Sequence, residues 1–328
     1  MELSTVSNHN LFYWNYHDVD PENPKFQNIQ VQYEDKLTFF FSRLHPKNIM
    51  HNIHDDALGI FFLLKEYAMH SSSSSTTDSF EAPFGRDHYI HLLDKYKLTD
   101  TSRILQLFSD HPIRTMAGML ENDSTTLKCW RDAVVGVSKL GNWYQYGFSI
   151  PQGPIESKYV NGLHIREMTD YILNRLQIPK PPSYSNGNAA LQNINAVVDW
   201  NKIVILSRKS NRLILNEKEL ASSLSAHFGL ESIIISMEEY SFKKQLEILQ
   251  STRVLVAMHG SMLIMAMFCR PGTVVIEMFP YAVPSAHYTP YKSMSELPGI
   301  DLAYRAWEVI EEFSFLFLRL RIIIHFEV

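Results

Sequence analysis

Apolar positions in the second half of the chain follow a regular order. Short apolar runs of strand length alternate with segments of helical spacing. Residues 202–207 read as a strand. Residues 217–228 read as a helix, with Asn216 and Glu219 spaced as a capping box. Residues 232–236 are a second strand, and 242–250 a second helix started by Ser241. Residues 254–258 are a third strand, followed by His259-Gly260-Ser261 and an apolar segment, 262–268, long enough for two helical turns. Arg270-Pro271-Gly272 punctuates it, and residues 273–278 are a fourth strand candidate. Such alternation predicts a doubly wound α/β fold with a parallel sheet, whose ligand crevice lies at the carboxyl ends of its strands.

The first half is less regular. Residues 37–41, LTFFF, form a short apolar run. Residues 48–67 carry Ile49, Ile53, Ala57, Ile60 and Leu64 at helical spacing, with Pro46 where a first turn would start. A serine and threonine run at 71–77 reads as a loop. Residues 88–96 suit a modest helix, 134–137 a strand, and 163–176 another helix. Proline, asparagine, serine and glycine crowd the first part of 178–201, which reads as a linker. The predicted division is a first domain at 1–177, a second at 202–308, and an atypical apolar tail at 309–328. Arg319 and Arg321 interrupt that tail, which is shorter than the ~20 apolar residues of a spanning helix.

A length of 328 residues fits two cores better than one. With 45% apolar and 20% charged residues, the composition is that of a folded protein. A net charge of −5 and the lack of a dense Lys/Arg block argue against nucleic acid or an anionic membrane surface as partner. Cys129 and Cys269 are too far apart in sequence for a disulfide framework or a spaced zinc site. The first ten residues are polar, without the apolar core of a signal or anchor. Asn122-Asp123-Ser124 is a glycosylation triplet of a kind that also arises by chance.

Three groups of residues could carry chemistry. On a helix, Asn48, His51 and Asp55 share one face, and His54 adjoins them. A carboxylate beside an imidazole can form a general base if both face a cleft; a solvated helix face is the plainer alternative. Arg208 and Arg212 follow a strand, where guanidinium groups suit a phosphate or form a basic surface loop. His259-Gly260-Ser261 forms the third group. Gly260 allows a close backbone approach, Ser261 can cap the helix behind it, and a helix N-terminus favours phosphate. Glu277, at the end of the next strand, could accept from ribose hydroxyls. Trp143, Tyr144 and Tyr146 lie in an aromatic loop suited either to stacking on sugar and peptide or to simple packing.

Several of these segments resemble glycosyltransferase family 61: LSTVSNHN (3–10), PKNIMHNIHDD (46–56), VGVSKLGNWYQYGFSIPQGP (135–154), LSRKSNRLILNEKEL (206–220), MHGSM (258–262) and the block 274–307. The resemblance implies a GT-B-like fold, two Rossmann-like domains facing a cleft. The activity it implies is inverting, β-1,4 transfer of N-acetylglucosamine from UDP-N-acetylglucosamine to O-linked mannose on a protein such as α-dystroglycan, in the endoplasmic reticulum. Asn48, His51 and Asp55 fall on the family's Asn-x-x-His-x-x-x-Asp pattern. Arg208, Arg212 and Asn216 fall on its basic loop, and His259 and Gly260 on its His-Gly motif. Where the family has His-Gly-Ala, this chain has His-Gly-Ser. The expected roles are Asp55 as base with His51 sharing its charge, arginines on the diphosphate, and no cofactor or metal. The alternative is a truncated, non-catalytic member that folds and binds nucleotide or glycoprotein only.

Overall fold

A computed structural model describes residues 29–71, 83–99, 101–116, 126–145, 153–156, 158–179, 200–281 and 283–308. The chain divides into two compact units. One comprises Met1–Pro151, Ile155–Val160 and Asp170–Arg175; the other comprises Gln152–Pro154, Asn161–Thr169 and Leu176–Val328.

The first unit contains strands β1 (Gln30–Glu34) and β2 (Thr38–Phe41), and a helical stretch of α1 (Ile49–His51), a π-helical turn (Asn52–Ala57) and α2 (Leu58–Ser71). Strand β3 (Tyr89–Leu92) and a 3-10 helix (Thr101–Phe108) come next, then β4 (Arg114–Thr115), β5 (Thr126–Trp130), β6 (Ala133–Val135) and the two-residue β7 (Tyr144–Gln145). Four strands form a parallel sheet in the order β4-β3-β2-β6, while β1 and β5 pair in parallel as a separate ribbon. All four residues of β2 are buried, which is why LTFFF shows no alternation. Ile49, Ile53, Ala57, Ile60 and Leu64 are buried as their spacing predicts. Phe61 anchors an aromatic core with Phe84, Phe108 and Tyr171, at ring separations of 5.6, 6.0 and 5.8 Å.

Two expectations for this unit are corrected. Residues 48–67 are not one regular α-helix, because the π turn at Asn52–Ala57 adds a residue to one turn. Residues 88–96 are not helical: Tyr89–Leu92 pairs with β2 and β4. So short an apolar segment carries no decisive period, and pairing with β2 decided the outcome.

Helix α3 (Gly162–Arg175) contributes to both units. Beyond the short β8 (Gly153–Pro154), the second unit is built from β9 (Lys202–Leu206), α4 (Glu217–Phe228), β10 (Glu231–Ile235), α5 (Phe242–Gln250), β11 (Thr252–Met258), a 3-10 helix (Ser261–Phe268), β12 (Val274–Phe279), α6 (Pro290–Ser295) and β13 (Ala303–Glu308). Its five strands are all parallel, in the order β10-β9-β11-β12-β13. Ile203, Ile205, Val254, Val256 and Met258 pack with Leu220, Ala221 and Leu224 of α4. The alternate residues Val204, Leu206, Leu255 and Ala257 are buried too, so these strands read as continuous apolar runs.

The chain leaves β9 toward β10 on one side and reaches β11 on the other. The switch point of the sheet therefore lies between the carboxyl ends of β9 and β11. Two capping expectations are corrected here. Asn216 precedes α4 but makes no side-chain cap bond, so the capping box is not formed; Glu217 instead accepts from the Ser207 hydroxyl at 2.9 Å. Ser261 is the first helical residue, and Gly260 occupies the cap position.

Among the described residues, no helix is long and apolar enough to cross a membrane. The segment 3–10, the serine run after Ser71, the glycosylation triplet, most of the linker, Tyr146 and the tail 309–328 lie outside the described residues.

Candidate functional site

In the first unit the helical stretch is the next element after β2, reached through a loop at 42–48. Asn48 caps it, its side-chain oxygen accepting from the Met50 N–H at 3.0 Å. Within the next turn the chain gathers two imidazoles around one carboxylate. Nδ1 of His51 lies 2.6 Å from Oδ2 of Asp55, and Nδ1 of His54 lies 2.6 Å from Oδ1. The Trp143 backbone N–H reaches Nε2 of His54 at 3.4 Å, which assigns the His54 proton to Nδ1. Both carboxylate oxygens of Asp55 are thus acceptors for imidazole N–H groups. Burial opposes its ionisation, but the hydrogen bonds from His51 and His54 outweigh that and hold its carboxyl at about 2, against an ordinary 3.8.

Asp55 thus bridges two imidazoles, and its two oxygens fix the rings of His51 and His54. His54 is fully buried and makes a second anchor for Asp55. His51 retains 13% side-chain exposure, against 4% for Asp55 and 0% for His54.

Two neighbours complete this turn: Asn52, which sequence reasoning missed, and Asp56, which adjoins Asp55 in the motif. Asn52 is buried and donates to the carbonyls of Pro46 and Asn48 at 2.9 and 2.8 Å, locking the start of the turn. Asp56 is buried with Oδ2 unpartnered among the described residues, and burial followed by the adjacent Asp55 charge pushes its carboxyl well above the usual range. Trp143 and Tyr144 are fully buried, and the Trp143 ring packs edge-on against His54 at 4.3 Å. The packing alternative therefore holds for these two aromatics: neither presents a face on which a sugar can stack.

In the second unit, the loop after β9 and the turn after β11 meet at the switch point. Arg208 is held by Asn211, donating from Nε to its carbonyl at 2.9 Å and from Nη2 to its side-chain oxygen at 2.6 Å. Arg212 has φ 52°, a left-handed conformation uncommon for a side chain of its size, and donates from Nη1 to the His259 carbonyl at 2.9 Å. Both guanidiniums lie over Gly260. A Cβ there would overlap Nη1 of Arg208 and stand 3.7 Å from Nη1 of Arg212. The backbone at Gly260 is extended (φ 162°), so glycine is needed for space and not for conformation. Partial burial and then the neighbouring Arg212 charge lower the proton affinity of Arg208. Two cations so placed beside a helix N-terminus make a site for an anion.

The His259 ring stacks on Phe279 at 5.0 Å, and its Nδ1 lies 2.5 Å from Oε1 of Glu277. The other oxygen of Glu277 accepts from the Tyr304 hydroxyl at 2.5 Å. Glu277 is 0% exposed, so it holds His259 in place instead of reaching ribose hydroxyls. Tyr304 lies 27 residues beyond Glu277, and no motif announced it.

Residues 148–276 match the family model Glycosyltransferase 61. Curated relatives carry the name protein O-linked-mannose beta-1,4-N-acetylglucosaminyltransferase 2. The Xenopus tropicalis protein is 34% identical over 316 residues, covering 95% of this chain and 49% of its own. The Mus musculus protein is 34% identical over 307 residues (94% and 48%), and the Homo sapiens protein 32% identical over 307 (94% and 48%). The chain spans about half the length of these relatives.

Proposed function

We propose that this chain, which carries a glycosyltransferase 61 region over residues 148–276, transfers N-acetylglucosamine from UDP-N-acetylglucosamine to O-linked mannose on a protein. The names of the relatives support the sugar and the acceptor class. The observation that carries the proposal is the convergence of Arg208 and Arg212 over Gly260 at the switch point of a parallel sheet.

The donor diphosphate is assigned to the two guanidiniums and the N-terminus of the 3-10 helix. Charge gathers on the leaving UDP as the bond from its phosphate oxygen to the sugar carbon breaks, and fixed cations stabilise that charge. The Nε2 of His259 is the ring nitrogen left for a ligand, since Glu277 holds Nδ1. The Nε2 of His51 takes the proton from the attacking mannose hydroxyl, and Asp55 stabilises the imidazolium that forms. Attack from the face opposite UDP inverts the configuration and gives the β-1,4 linkage. The reading calls on no metal or cofactor. A GT-B-like arrangement, action in the endoplasmic reticulum and an acceptor such as α-dystroglycan belong to the same proposal.

The test is transfer from labelled UDP-N-acetylglucosamine to an O-mannosyl peptide, alongside UDP titration by calorimetry. Transfer that requires both Arg212 and His51 supports the reading. UDP binding without transfer points to the non-catalytic alternative. Absence of both transfer and UDP binding overturns the donor-site assignment.

A further inference from the structure

Glu238 is a carboxylate at the edge of the proposed donor site that no step of the transfer uses. Strand β10 lies beside β9, and the Ser207 N–H ties their carboxyl ends together by donating to the Ile235 carbonyl at 2.7 Å. The chain then passes through Ser236 into a 3-10 turn, Met237–Glu239. Glu238 therefore stands at the same sheet edge as the loop that carries Arg208. Arg208 joins the two sides: its Nη1 lies over Gly260, and the Glu238 charge supports its own.

Other carboxylates near this edge are engaged within the protein. Glu217 takes the Ser207 hydroxyl at 2.9 Å, Glu239 is paired with Lys209 at 2.9 Å, and Glu277 is buried between His259 and Tyr304. Glu238 is exposed. The Ser236 hydroxyl donates to its Oε2 at 2.7 Å. That bond is the main reason its carboxyl lies below the ordinary 4.5; its own backbone N–H, Lys209 and Arg208 add to the effect. A carboxylate offers about four lone-pair sites, so Glu238 still has room for two hydroxyl donors.

An ionised carboxylate repels a diphosphate, so its place beside two phosphate-binding arginines calls for a reason. A ribose supplies one, since its hydroxyls are donors and lie one linkage from the phosphates. In doubly wound sheets an acid following the phosphate-binding turn accepts from ribose hydroxyls. The burial of Glu277 removes it from that role, and Glu238 is the exposed acid at the strand next to β9.

We propose that Glu238, held by Ser236, accepts from the ribose hydroxyls of the nucleoside diphosphate whose phosphates Arg208 and Arg212 bind, and so selects a ribonucleotide donor over its deoxy form. This rests on the donor-site reading above and adds to it the residue that orients the nucleoside.

Calorimetric titration of the whole chain with UDP, 2′,3′-dideoxy-UDP and inorganic pyrophosphate tests it. Wild-type protein should bind UDP at least tenfold more tightly than the dideoxy form, the loss expected when bonds to a charged group are removed. Glu238→Ala should weaken UDP binding by about tenfold or more and abolish most of that preference. The same variant should bind pyrophosphate as tightly as wild type or more tightly, because a like charge has gone. Glu238→Gln should recover part of the UDP affinity, since its carbonyl still accepts. Glu238 is exposed, so both variants should keep the wild-type melting temperature. If Glu238 only offsets the charges of Arg208 and Lys209, its removal should tighten UDP, dideoxy-UDP and pyrophosphate alike. That result, or the same ribose preference in Glu238→Ala and wild type, overturns the proposal while UDP binding leaves the donor site standing. Failure of wild-type protein to bind UDP overturns the donor-site reading and this proposal with it.

Discussion

Arg212 donates from Nη1 to the backbone carbonyl of His259 at 2.9 Å, which fastens the loop after β9 to the turn after β11. Its charge stands beside Gly260 with no carboxylate partner among the described residues. Loss of a charge-assisted bond to a diphosphate costs about 1.5–3 kcal/mol, so Arg212→Ala should weaken UDP binding roughly ten- to a hundredfold. Arg212→Lys should recover only part, because an ammonium lacks the planar fork. UDP titration of the folded variants checks this, and unchanged affinity in the alanine variant would remove Arg212 from the donor site.

Gly260→Ala tests the same site from the backbone side. Its methyl group would displace Arg208, a flexible side chain in a loop. The fold should survive with a shift in melting temperature of a few degrees, while UDP affinity falls by about tenfold or more. A variant that binds UDP like wild type would mean that the space over Gly260 is not where the ligand sits.

The His51–Asp55 pair makes a prediction about rate. Asp55→Asn keeps the shape but removes the charge that supports an imidazolium, so transfer should fall by roughly a hundredfold or more with UDP affinity unchanged. His51→Gln should lose at least as much. Should His51→Gln keep full activity while Asp55→Asn loses it, the carboxylate and not the imidazole is the base.

On the proposed reading, Tyr304 and Glu277 would act on the donor through His259, since the buried Glu277 joins the two. Tyr304→Phe leaves one oxygen of a buried carboxylate without its donor, a destabilisation of about 1–3 kcal/mol. UDP affinity should fall by less than in Glu277→Gln, which weakens the grip on His259 directly. Equal effects on UDP binding would contradict the order of the chain Tyr304–Glu277–His259.

Acid should destabilise the first unit in two stages. Burial lowers His88 and His91 from 6.5 to about 4. On acidification the unfolded chain takes up these protons first, so stability is complete above about 6.5 and is lost as pH falls toward 4. Asp55, held at about 2 against 3.8, adds a further loss between those values. His88→Phe removes one buried imidazole that packs on Phe39 at 5.0 Å, and should flatten the first stage. Urea unfolding at pH 7, 5 and 4 measures it; the same pH slope in variant and wild type would refute the assignment.

Much of the second unit was legible in the sequence. Its central strands β9 and β11 are buried on both faces, so continuous apolar runs marked them, and strict alternation with helices implied a parallel sheet. The basic loop and the His-Gly turn were visible because each follows a strand directly. Their meeting at one sheet edge followed from the topology once the strand order was known. The edge strand β13 and the β1–β5 ribbon carried no such signal, since β13 and β1 are largely exposed and β5 is only half-buried.

The sequence by itself determined which residue types stand at helical and strand spacing: the Asn48, His51, Asp55 face, the two arginines after β9, and Gly260. Tertiary structure alone decided what surrounds each one. Residues 89–92 became a strand because β2 was there to pair with. Both oxygens of Asp55 became occupied because His54, backed by the Trp143 backbone from 89 residues away, took the second one. Glu277 became a support because Tyr304 and His259 enclosed it, and Trp143 became core because His54 packed against it. Spacing along a chain is a local property, read from backbone geometry. Burial and hydrogen-bond partnership depend on neighbours that are distant in sequence, and these set whether a polar side chain meets a ligand or another side chain.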